Sequence, residues 1–235
     1  MLEAMCGRYV STTPPDVLAA QFGVDEIVDE DVIRPRWNVA PTDPVPGVVE
    51  SSEGVRRLRP LRWGLLPSFV TDPGSGAKRI NARAETVATS PAFRAAFARR
   101  RCILPADGFY EWDEGRQPWF IRRADGLPLA MAGVWEVWRG ADDVLVRTCA
   151  VITTTANAMV APVHDRMPAI LEIAEYEPWL DRGADGRDAL ALVRPAPEDL
   201  LVRHPVSTRV NNVRHDGPEL IEPGSAERAV PLKLL

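Results

Sequence analysis

Proline sets the first limit on this chain. Twenty-two of its 235 residues are proline, spread from end to end. Each one fixes φ near −65° and removes a backbone donor, so long uninterrupted helices are excluded. Between the prolines, short segments rich in Val, Ile, Trp and Thr recur at residues 45–49, 55–65, 102–104, 109–112, 119–122, 129–138 and 144–155. Bounded by Gly, Pro and Asp, they read as strands. Thr13 at an N-cap, with proline at the first helical position and Asp16 in the first turn, predicts a helix carrying a Val17, Leu18 and Phe22 stripe and closed by Gly23. An acidic stretch at 25–31 reads as a solvated loop. A second helix is expected at 91–100, where Phe93 and Phe97 share a face. Short helical pieces are expected at 159–163, 173–180 and 197–202, followed by an irregular tail. No repeat or low-complexity linker interrupts the chain. The expectation is an α+β single domain, with a mixed, largely antiparallel barrel-like β-sheet core flanked by short helices.

With 46% hydrophobic and 26% charged residues, the chain can bury a sizeable core. No apolar run approaches the roughly 18 residues that span a bilayer, and the first five residues lack the basic and apolar regions of a secretory signal. The expected location is therefore cytoplasmic, with no membrane partner. The three cysteines, Cys6, Cys102 and Cys149, are scattered without C-x-x-C spacing, which argues against a disulfide framework and against a zinc site. No metal and no cofactor are expected. Net charge is −5, yet residues 34–123 hold 16 Lys and Arg against 9 Asp and Glu. Such a basic middle segment reads either as a phosphate-tracking face or as solvated arginines.

Four places hold chemistry-bearing residues. In Met5-Cys6-Gly7-Arg8-Tyr9, loss of the leader would give Cys6 a free α-amine beside its thiol. The amine titrates at about 7.7–8.0 and the thiol at about 8.5, so both are partly nucleophilic near neutral pH. The amine can form an imine with an aldehyde, and the thiol can close it to a thiazolidine. Taken alone, Cys6 reads first as a small buried residue of a first strand. In Phe109-Tyr110-Glu111-Trp112 an apolar setting would raise the Glu111 pKa and suit it to proton transfer; otherwise Glu111 is the exposed member of an alternating strand. His164, before Asp165-Arg166-Met167-Pro168, sits in a loop context that suits function, or is a structural or solvated histidine. His204 and His215 have uninformative neighbours. In Ile80-Asn81-Ala82-Arg83-Ala84-Glu85-Thr86, Asn81 could orient a nucleophile and Arg83 hold a phosphate, or the segment is a capping and salt-bridge loop.

Together these segments resemble the SRAP family, the SOS response-associated peptidase-like proteins, over nearly the whole chain. The resemblance rests on Met5-Cys6-Gly7-Arg8, Arg36-Trp37-Asn38-Val39-Ala40-Pro41-Thr42, Trp63-Gly64-Leu65-Leu66-Pro67, the 80–86 segment, Asp107-Gly108-Phe109-Tyr110-Glu111-Trp112, His164-Asp165-Arg166-Met167-Pro168, and a tail at 206–211. It implies the SRAP fold over residues 5–235, with residues 1–4 a leader or a misassigned start. It also implies covalent capture of abasic sites in single-stranded DNA by a monomer, nucleoid-associated when bound. On that reading Cys6 is the nucleophile, Asn81 positions it, Glu111 shuttles protons, and His164 assists sugar ring-opening and reversal. Arg8, Arg83 and Arg166 would contact phosphates, while Pro41 and Phe69 wedge against bases. An abasic site is already unstacked, which lowers the cost of presenting its aldehyde, and arginines with an aromatic platform suit a single strand.

Two departures bear on this. Cys6 is not residue 2, so its amine is an amide unless residues 1–5 are absent or removed. Phe69 stands where many members of the family carry tryptophan, which keeps an apolar wedge with less ring area. The alternatives are a thiol peptidase or autopeptidase using Cys6 and His164, and a non-covalent module for single-stranded or modified DNA.

Overall fold

The computed structural model describes residues 7–183 and 186–224. Cys6, and with it the proposed nucleophile, lies outside the described residues. In chain order come β1 (Arg8–Ser11), α1 (Pro15–Phe22), β2 (Glu26–Ile27), β3 (Arg36–Val39), β4 (Pro44–Glu50), β5 (Arg56–Trp63) and β6 (Asn81–Arg83). Then follow α2 (Arg94–Arg99), β7 (Arg101–Ala106), β8 (Gly108–Trp112), β9 (Pro118–Arg123), β10 (Leu129–Arg139) and β11 (Leu145–Thr155). The chain closes with β12 (Arg166–Pro168), α3 (Tyr176–Leu180), α4 (Gly186–Ala191) and β13 (Leu201–Pro205).

Five strands close on themselves as a small barrel in the order β11–β10–β7–β4–β5 and back to β11. Every pairing in the ring is antiparallel except the closing one, where β5 and β11 run parallel with Arg62 beside Thr148 and Trp63 beside Cys149. Side chains alternate across each strand. Leu61, Trp63, Cys102, Leu104, Met131, Cys149 and Val151 fill one cluster inside the ring. Val48, Leu58, Ile103, Ala132, Val134 and Ile152 point outward and are covered by Leu18 and Phe22 of α1, Phe97 of α2, and Trp179 of α3. With both faces buried, β7 has no solvent side, and all six of its residues are buried. The second sheet runs β13–β9–β8–β1–β3. Its inner residues Tyr9, Val39, Phe109 and Ile121 join the barrel cluster.

The expected barrel-like α+β architecture is therefore present, and all seven expected strand segments exist. Several local expectations give way. Thr13 does not cap α1: the N-cap is Pro14, with no side-chain cap. Asp107 instead takes the Thr12 and Thr13 hydroxyls and both of their backbone N–H groups, because four donors on one carboxylate outweigh a single cap bond. Gly23 closes the helix in the left-handed region as expected. Val17 is exposed, not part of the stripe. The acidic loop contains β2, which adds to the edge of β5, and a 3-10 turn at Glu30–Val32. Residues 159–163 form hydrogen-bonded turns instead of a helix. Of 197–202 only Glu198–Leu200 is helical, before β13 pairs with β9. Among the described residues no helix is long and apolar enough to cross a membrane.

One glycine is required by contact as well as by φ. Gly64 has φ +130°, and a Cβ there would lie 2.8 Å from the Gly76 carbonyl oxygen. Gly64→Ala is expected to destabilise the fold by roughly 1–3 kcal/mol. In urea this reads as a lower midpoint at unchanged slope, and an unchanged midpoint would show that the two loops part freely.

Candidate active site at the end of β11

The far end of β11 gathers four of the candidate residues, Asn81, Arg83, His164 and Arg166. β6 pairs with it in parallel, setting Asn81 beside Val151 and Arg83 beside Thr153. β12 pairs antiparallel, setting Arg166 beside Thr155 and Pro168 beside Thr153. The Thr153 carbonyl accepts from the Ala84 N–H at 2.8 Å and from Arg166 Nη2 at 2.6 Å. Glu85 holds the same guanidinium bidentately, at 2.5 and 2.9 Å. This geometry lowers the Glu85 pKa, first through the hydrogen bond from Arg166.

His164 is tied into this assembly through its ring. Nδ1 accepts the Arg166 backbone N–H at 3.0 Å, so in the neutral ring the proton sits on Nε2. Nδ1 also lies 2.9 Å from an Asp165 carboxylate oxygen, on a side chain that is 86% exposed. One ring nitrogen cannot accept from the amide and donate to Asp165 at once; the amide is the partner of the neutral ring, and Asp165 that of the Nδ1-protonated one. His204 and His215 each bond a backbone carbonyl, of Ile221 and Arg209 respectively, and hold the C-terminal part of the described chain.

Glu111 stands on β8 of the second sheet. It is only 3% exposed, which removes the reading of an exposed alternating residue. On β8 it shares a face with Phe109, and Phe109 packs in one cluster with Ile80, Val160 and Met167. Those residues precede Asn81, hydrogen-bond back from His164 (His164 N–H to Val160 O, 3.1 Å), and follow Arg166. Strand β1 pairs with β8 with Arg8 beside Tyr110.

The remaining candidates are distributed differently. Arg8 Nη1 donates to Asn38 Oδ1 and to the Val210 carbonyl, both at 2.9 Å, and burial lowers the Arg8 pKa. Asn38 is fully buried and donates to the carbonyls of Val210, Asn212 and His215. Arg8 and Asn38 thus staple β1 and β3 to the tail, which gives the Arg36-Trp37-Asn38 and 206–211 motifs a structural reason. Arg83 is exposed. Pro41 is half-buried in a tight turn, with Thr42 at φ 78° and its N–H donated to the Trp63 carbonyl. Phe69 is 64% exposed. It tips a loop anchored by Leu66 N–H on Thr148 Oγ1 and by Trp138 Nε1 on the Val70 carbonyl. Those anchors lie by Val146 and Thr148 of β11, short of the Asn81 and Arg83 positions.

Two organising residues were not singled out from sequence. Thr153 lies in an ordinary β run with no motif around it. Glu85 belonged to a quoted motif, and its role as an ion-pair residue agrees with the salt-bridge reading of that loop. Cys102 and Cys149 are buried, and burial pushes both thiols well above the usual range, leaving neither as a nucleophile. Among the described residues no group of three or more His, Cys, Asp or Glu could hold a metal ion.

Comparison with known proteins identifies the family. The family described as SOS response associated peptidase (SRAP) matches residues 5–213. Abasic site processing protein YoqW of Bacillus subtilis (strain 168) is 36% identical over 223 residues, covering 93% of this chain and 99% of that protein. Abasic site processing protein YedK of Escherichia coli (strain K12) is 36% identical over 232 residues, covering 93% and 100%. A solved structure from Bordetella bronchiseptica has a TM-score of 0.74 at 27% identity, covering 86% of this chain and 100% of that one. Another from Bacteroides thetaiotaomicron, at 23% identity and TM-score 0.81 with 93% and 100% covered, shares the fold. The barrel, the ordered motifs and the matched length together make this chain a member of the SOS response associated peptidase (SRAP) family.

Proposed function

We propose that this chain captures abasic sites in single-stranded DNA by a covalent bond through Cys6, once residues 1–5 are absent. The relatives named abasic site processing proteins support the substrate. The observation that supports the chemistry is the burial of Glu111 on β8, which pairs with the strand that begins two residues after Cys6. The closed sugar first opens to its aldehyde, assisted by His164. The Cys6 amine adds to the aldehyde carbon and water leaves, giving an imine. The thiol then adds across the C=N bond, its sulfur to carbon and its proton to nitrogen, closing a thiazolidine. Glu111 moves protons in the first two steps, and Asn81 orients the amine. Arg8, Arg83 and Arg166 contact phosphates, with Arg166 offering what Glu85 and Thr153 leave free, and Pro41 and Phe69 flank the lesion.

The test is the intact mass of a chain beginning at Cys6 after incubation with an abasic single-stranded oligonucleotide. The expected species is protein plus oligonucleotide minus one water, resistant to denaturation; no such species would overturn the reading. His164→Ala is expected to slow ring-opening or reversal by about 100-fold, in the range of a positioned acid or base. Unchanged time courses in both directions would remove His164 from the site. The family's description as a peptidase favours a second reading, thiol cleavage of the chain's own leader by Cys6 and His164. It predicts that the purified full-length chain releases residues 1–5 unaided, and a stable full-length mass excludes it.

A further inference from the structure

The barrel closes incompletely, and the gap is basic. β5 and β11 pair only at Arg62 with Thr148 and Trp63 with Cys149. At Arg57 and Leu58 the edge of β5 is instead taken by β2. Between those two pairings the parallel strands part. By alternation Arg59 shares the face of Leu61 and Trp63, and Arg147 shares the face of Cys149, all of which line the barrel interior. Arg59 and Arg147 therefore stand on one face of two neighbouring strands.

Neither side chain is hydrogen-bonded or ion-paired to a carboxylate among the described residues. Arg59 Nε is shut off from solvent and has no hydrogen-bond partner there. The carboxylates facing Arg59 are Asp29 and Glu26, and Glu26 is already held by Arg57 Nε at 2.6 Å. Arg59 is held below its usual pKa by burial first and by Arg147 second, with Asp29 acting the other way after them. A half-buried guanidinium with a second positive charge nearby is costly unless an anion offsets them. Guanidinium groups bond phosphate oxygens in a planar fork, which makes phosphate the fitting anion.

We propose that this face of β5 and β11 is an oxyanion site in which Arg59 and Arg147 grip one phosphate group, supplied either by the backbone of a bound single strand or by free phosphate. Arg147 lies six residues before Thr153 on β11, roughly 20 Å at strand rise, so the site stands apart from the His164 end. It does not depend on the crosslinking reading, and its test uses no abasic site. Inorganic phosphate is titrated against the full chain while the melting midpoint is followed; the midpoint should rise, and the rise should be lost in R147Q and in R59Q/R147Q. Unlesioned single-stranded oligonucleotides, one too short and one long enough to span the two ends, are then bound over a salt series. Loss of one phosphate contact should flatten the log–log slope by about 0.7 for the long strand alone. A flattened slope identifies a DNA backbone phosphate, and a phosphate-dependent midpoint with unchanged slopes identifies a free phosphate ligand. If R147Q, the more conservative variant for folding, matches the parent in both measurements, the proposal fails.

Discussion

Cys6→Ala is expected to abolish the denaturation-resistant adduct while leaving non-covalent affinity for single-stranded DNA in place. The loss should be complete, because alanine keeps an α-amine that can form only a reversible imine. Hydrolysis returns that imine to protein and aldehyde, whereas the thiol traps it as a ring. Borohydride should therefore recover an adduct from the Cys6→Ala protein and not from one whose amine remains blocked. The same reasoning applies to the full-length chain. With residues 1–5 attached, the Cys6 nitrogen is an amide and cannot condense with an aldehyde, so neither the stable nor the reducible adduct should form. A stable adduct from a chain shown by mass to retain Met1 would move the nucleophile elsewhere. The described thiols are poor substitutes, since Cys102 and Cys149 are buried in the barrel.

Glu111→Gln is expected to slow crosslink formation by about 100- to 1,000-fold, within the range of a general acid–base group. Glutamine keeps the volume and one hydrogen-bonding oxygen but cannot take up and return a proton. Because Glu111 is buried on β8 with Phe109, the isosteric change should leave the footing under Asn81 and His164 intact. Binding of unlesioned single-stranded DNA should be unchanged, so rate and affinity separate. Equal losses in both would make Glu111 a structural residue of the second sheet.

The strands longest in sequence were the most legible. β4, β5, β7, β8, β9, β10 and β11 announce themselves by β-branched and aromatic residues between breakers, and each lies within a residue or two of its expected bounds. The unread strands β1, β2, β3, β6, β12 and β13 have two to five residues each. Too short to show a period, they exist because a neighbour supplies their hydrogen bonds. The same limit applies at the site. Asn81, Glu111 and His164 were legible as residue types within motifs, but Glu85 and Thr153 acquire their roles only through Arg166, 81 and 13 residues away. Arg8 is legible only as a cation within its motif; that its guanidinium donates to Asn38 and to Val210, 30 and 202 residues away, is decided by the fold.

By itself, then, the sequence determined a chain of short strands without long helices, and it carried the family motifs with their chemistry-bearing residues. Those are properties of neighbouring residues, set by backbone dihedrals, alternation and side-chain type. Only the tertiary structure decided which charges meet. Closing β5 against β11 set Arg59 and Arg147 on one face of neighbouring strands, and pairing β6 and β12 along β11 bound Arg166 to Glu85 and His164. Charge pairing depends on distance in space, and for these residues that distance is set by how the barrel closes.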